Sequence, residues 1–139
     1  MFNRPFDNQD QIRVRLEAEA KLYIQDQIKD GNLTLVWSYI LDYENGQNPY
    51  DERRNVIDKW QSYASIDIDE TETVLKRAIS ITELGLKAKD ALHLASAIEG
   101  GATHFLTTDD RIIKKSAAIP KITVMNPTEF IKVLDNYDD

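Results

Sequence analysis

The side chains in this chain best suited to chemistry are carboxylates at the ends of apolar segments. In FLTTDDRIIKK, residues 105–115, a short apolar run passes through two threonines and stops on Asp109 and Asp110. In KAKDALHLASA, Asp90 stands beside a stripe made of Ala91, Leu94, Ala95 and Ile98. Glu44 lies one to two helical turns beyond the apolar run LTLVWS, residues 33–38. Carboxylates gathered at one place are ligands for hard cations such as Mg²⁺ or Mn²⁺. A cation so held acidifies a bound water and orients it for hydrolysis.

Each acid also has a structural use. Asp109 suits the N-cap of a helix carrying Ile112 and Ile113, because Asp is a preferred cap. Asp90 suits the first turn of its helix, where the dipole favours negative charge. Glu44 reads equally as a solvated helix residue, and Asp42, Asp51 and Asp110 read as surface acids. His93, three residues after Asp90, is a possible base, or else a half-buried histidine satisfying a hydrogen bond. His104 falls at a strand start and is bland. Thr107 and Thr108 are good strand formers. Lys87, Lys89, Arg111, Lys114 and Lys115 flank the acids as a phosphate-binding rim or as ordinary solvated side chains.

Composition narrows the chemistry. The chain has no cysteine and two histidines, His93 and His104, which removes thiolate zinc sites, disulfides and cysteine nucleophiles. The net charge of −7 argues against a passive nucleic-acid binder with a basic face. It leaves room for a nuclease, whose acids concentrate at one point. Phosphate-cradling GxxxxGK[ST], GxGxxG and GxSxG patterns are absent. A small-molecule-binding α/β domain therefore has no motif behind it. No apolar run approaches a membrane span, and MFNRPFDNQD lacks a signal-peptide core. A cytoplasmic protein is expected.

The elements that must position these acids follow from periodicity. A helix is expected from about Asp10 to Lys29, with Ile12, Leu16, Ala20, Tyr23, Ile24 and Ile28 at helical spacing. LTLVWS reads as a buried strand. A short helix through YILDYEN follows, then one at DERRNVIDKWQSYA with Val56, Ile57 and Trp60 as its stripe. Ile66 to Ile68 is a weak strand. DETETVLKRAISITELG and KAKDALHLASAIEGG are helices closed by glycines. THFLTT is a strand, DDRIIKKSA a short helix, KITVM a strand, and NPTEFIKVLDN a closing helix with Pro127 in its first turn. With 139 residues and 42% hydrophobic content, this is one domain with a core. Its class is α/β, with three α/β/α layers and a short central parallel sheet. Ligands in such sheets bind beyond the carboxyl ends of the strands, the edge where Glu44 and Asp109 fall.

LVWSYILDYEN, KAKDALHLASAIEGGATHFLTTDDRI and KITVMNPTEF together resemble a PIN domain, a ribonuclease fold common among toxin–antitoxin toxins. The resemblance runs through about residues 33–131. Its strongest part is the D-A-L-H-L-A-x-A helix, then Gly-Ala, then a strand ending in T-x-D. It implies a metal-dependent endoribonuclease using Mg²⁺ or Mn²⁺, with Glu44, Asp90 and Asp109 as catalytic and metal-binding acids. Asp42 is the fallback for Glu44, Asp110 for Asp109, and Thr107 is the accompanying threonine. An RNA substrate, an antitoxin partner and a homodimer are implied with it. The family begins with a central strand ending in an aspartate. Here that strand and acid are expected to be missing, through a start assigned too late or through true loss. Asp7 and Asp10 lie too far into the helix entry to replace it. A catalytically inactive binding or assembly module is the alternative. Such a gap would leave neighbouring strands with unpaired backbone groups and an unfilled slot.

Overall fold

Short β-branched runs become strands, and the periodic segments between them become helices. The computed structural model describes the backbone of residues 5–138 and the side chains of residues 10–135. The order is α1 (Pro5–Lys29), β1 (Leu35–Ser38), α2 (Tyr39–Gly46), α3 (Asp51–Gln61), β2 (Ala64–Ile68), α4 (Glu72–Thr82), α5 (Ala88–Glu99), β3 (His104–Leu106), α6 (Asp110–Ser116), β4 (Thr123–Met125) and α7 (Pro127–Asp138). Local chemistry sets several ends. Thr71 caps α4, its hydroxyl accepting from the Val74 amide at 3.2 Å. Gly85 after α4 and Gly101 after α5 take φ of +94° and +77°, conformations that a side chain would strain.

All strand pairing is parallel. β1 pairs with β2 through Val36↔Ile66, Trp37↔Asp67 and Ser38↔Ile68, with an irregularity between Leu35 and Val36. β3 pairs with β4 through His104↔Thr123, Phe105↔Val124 and Leu106↔Met125. The two pairs are separate two-stranded sheets, so the central layer is interrupted between β1 and β3. Helices α4 and α5 pack on each other, as do α1 and α7, and the architecture is three-layer α/β/α.

The core is centred on α4 and α5. Val74, Ala78 and Ile81 meet Ala91, Leu94 and Ala95, with Leu86 and Ile122 at the margin. The stripe expected for α5 is therefore the one buried, and full burial of a side chain such as Leu94 contributes about 1.5–3 kcal/mol.

Two helices depart from expectation. In α1, which starts earlier than Asp10, Ala20 and Ile24 are buried but Ile12 and Leu16 are 57% and 52% exposed. Helix α3 buries no residue. Val56 is exposed, while Trp60 is half-buried between Tyr63, at 5.3 Å between ring centroids, and the Lys29 ammonium, 5.2 Å from its ring. An aromatic and a cation cover that stripe in place of the core. Asp10 is exposed, and Asp7 lies outside the residues whose side chains are described. None of the described helices is long and apolar enough to cross a membrane.

Candidate active site

The chain turns from β1 into α2 at Ser38, which is extended at φ −141° and ψ 159°. Helix α2 is then fixed to α3 by the buried Asn45. Its Nδ2 donates to Asp58 Oδ1 at 2.7 Å and to the Arg54 carbonyl at 3.1 Å. This anchor sets the direction of the preceding residue, Glu44. Its carboxylate meets Nε2 of His93 on α5, and that histidine is mostly covered. Asp42 is used differently, because its Oδ1 accepts from the buried Trp37 indole at 2.9 Å. A buried indole N–H needs an acceptor, so Asp42 serves the strand and not a cleft.

Asp90 lies half-buried in the first turn of α5, one turn before His93. Lys87 occupies the N-cap position without a side-chain cap, so Asp90 supplies the negative charge that this helix end favours. Residues three apart share a helix face. Contact between α2 and α5 thus brings Glu44 toward the face that carries Asp90 and His93.

The second half of the acidic edge follows β3. Thr107 Oγ1 accepts from the Asp109 amide at 3.1 Å, and Asp109 Oδ1 accepts from the Arg111 amide at 2.9 Å. Asp109 is therefore the N-cap of α6, the structural use its sequence position implied. Asp110 is held by both terminal nitrogens of Arg13 of α1, at 2.8 and 2.7 Å. Hydrogen bonding to that guanidinium keeps the Asp110 carboxyl below its ordinary range, while the guanidinium pKa is raised. Arg13 also reaches Glu17 at 3.1 Å, and Glu17 accepts from Asn126 Nδ2. One network thus ties α1 to the starts of α6 and α7.

The family model of the PIN domain matches residues 9–118. The chain belongs to the PIN-domain family. No curated protein and no solved structure matches it. PIN domains are in general nucleases that depend on divalent metals. The donor set in this member does not fit such a cation as arranged. Among the described residues no three His, Asp or Glu side chains stand close enough together to hold a metal ion. Four of the candidate acids already hold a partner within the fold. Glu44 faces His93, Asp109 Oδ1 faces its own helix, Asp110 faces Arg13, and Asp42 faces Trp37.

Two pairings carried no sequence signal. The partner of His93 is 49 residues away in sequence, and Arg13 lies 97 residues from Asp110; no spacing rule reaches that far. Of the basic rim, Lys115 is a structural tie that donates to the Gly85 carbonyl at 2.9 Å. Lys87, Lys89, Arg111 and Lys114 are exposed, as solvated side chains are. His104 packs against Phe130 at 4.9 Å between centroids, in line with a bland role.

Proposed function

We propose that this PIN-domain chain acts on RNA as an endoribonuclease, with Glu44, Asp90 and Asp109 as the acids of its site and Mg²⁺ or Mn²⁺ as the cation to test. One observation supports this reading most. Glu44 follows β1, Asp109 follows β3, and Asp90 opens a helix that contacts both β1 and α2. Ligand sites of parallel sheets lie at this edge. For the acids to act together, Glu44 would present Oε2 and Asp109 Oδ2, the oxygens that His93 and the helix cap do not use. A toxin role, an antitoxin partner and a homodimer belong to the same proposal.

A second reading draws on the engagement of Glu44 with His93 and of Asp109 with the start of its own helix: a PIN fold that binds or assembles without hydrolysis. Cleavage of single-stranded RNA by the full chain with Mn²⁺, with Asp90→Asn in parallel, separates the two. The nuclease reading expects cleavage that is lost in Asp90→Asn while thermal unfolding stays unchanged. Unchanged activity in the mutant, or its unfolding, counts against the assignment of Asp90. Absence of cleavage by either chain, with a folded protein, supports the non-catalytic module.

A further inference from the structure

Glu44 and Asp90 stand on different helices, yet one side chain connects them. His93 follows Asp90 by one turn on α5 and shares its helix face, and its Nε2 meets Oε1 of Glu44. The support behind that ring is firm. Ala91, Leu94 and Ala95, its neighbours on α5, are 0% exposed, and the His93 side chain is 18% exposed against 36% for Glu44. A glutamate has several side-chain torsions and loses much rotamer freedom when it is fixed. Asn45 anchors the backbone of α2 but does not hold the carboxylate of its neighbour. Among the described residues, His93 does.

The chemistry of the contact says which way it works. A carboxylate only accepts hydrogen bonds, so Nε2 carries the hydrogen and donates it. A nitrogen that donates there is not free to take a proton from a nucleophile. The contact uses Oε1 and leaves Oε2 for the site. We propose that His93 is a positioning residue: it fixes the Glu44 carboxylate against α5 and so sets its place relative to Asp90 on the same helix. This rests on the nuclease reading, which names both acids. Hydrogen bonds that orient active-site groups change activity by about 10–100-fold, because a small misplacement of one group is enough to slow a reaction.

The test compares His93→Ala, His93→Gln and His93→Asn in cleavage of single-stranded RNA by the full chain with Mn²⁺, and in thermal unfolding. Glutamine brings an amide N–H to about the place of Nε2, whereas asparagine is too short to reach Glu44. In His93→Ala and His93→Asn, kcat is expected to fall about 10–100-fold while KM changes less than about 3-fold. His93→Gln is expected to recover kcat to within about 3-fold of wild type. A merely structural tie would lower the melting temperature and leave kcat alone, and that result overturns the proposal. So does a folded His93→Gln as slow as His93→Asn, since the ring itself would then be acting on protons. This comparison stands even if His93→Ala does not fold. An RNA-free readout is the melting of Glu44→Ala, His93→Ala and the double variant: strictly additive losses would mean that the two side chains do not meet in solution, and would overturn the proposal. Undiminished cleavage in His93→Ala overturns it while the nuclease reading survives. A wild-type chain that cleaves no RNA overturns both.

Discussion

The α4–α5 core and the β1–β3 cleft, an opening of about 750 Å³ lined by Leu35, Val36, Phe105 and Leu106 among others, differ in how fully their apolar residues are covered. On α5, Ala91, Leu94 and Ala95 are 0% exposed. On β3, His104, Phe105 and Leu106 are all half-buried. The difference lies in the backbone. A helix satisfies its own hydrogen bonds, so its side-chain stripe needs only a surface to pack on. A strand must find its hydrogen-bond partners in another segment, and among the described residues each strand beside the cleft has one neighbour where a central strand has two.

The largest expected effect contrasts the two regions directly. Leu94→Ala should destabilise the fold by about 2–5 kcal/mol through lost burial and an unfilled cavity. Leu106→Ala, at the cleft, should cost less than about 1.5 kcal/mol, since its side chain is already partly hydrated. Urea unfolding of the two variants measures the gap, and equal losses would dissolve the contrast.

Gly100→Ala probes the border between the regions. A Cβ there would lie 2.6 Å from Cγ1 of Val36, so one of them must move. If Val36 were packed as tightly as the core, the overpacking would cost about 1–3 kcal/mol. Because Val36 lines the open cleft, a loss toward the lower end of that range is expected in the same denaturation experiment.

Asp109 separates its cap from its chemistry. Asp109→Ala should lose about 1 kcal/mol of stability, whereas Asp109→Asn should lose almost none, because Asn caps as well as Asp. Under the nuclease reading both abolish RNA cleavage. Retained activity in Asp109→Asn would leave Asp109 as a cap alone.

The smallest effect concerns Arg13. Pairing with Arg13 depresses the pKa of Asp110 in the folded state. The associated stability is present above the ordinary carboxylate pKa of about 4 and is lost as pH falls through the depressed folded value. Both side chains are largely exposed, so the effect is expected to be slight and reduced by salt. Arg13→Ala should remove that part of the acid dependence, seen as a smaller drop in melting temperature below about pH 4.

Much of this protein was legible along the chain. The α5 stripe with Asp90 beside it, the cap at Asp109 and the parallel pairing are set by neighbours within a few residues or by the alternation of elements. The stripes on α1 and α3 misled for the opposite reason. Periodicity says which residues share a face and not what that face meets, so Ile12 and Leu16 stand in solvent and Trp60 lies beneath Lys29. The use of each acid was legible only in part, because Asp109 finds its donor two residues away while Glu44 and Asp110 find theirs on distant elements.

By itself, then, the sequence determined the α/β class, the order of elements, the family and the acidic character of the strand-end edge, all of which depend on local spacing. Tertiary structure alone decided that the sheet divides into two pairs, that His93 meets Glu44, and that Arg13 meets Asp110. Those outcomes depend on which distant segments compete for the same hydrogen-bonding groups, and that competition is settled only when the layers pack.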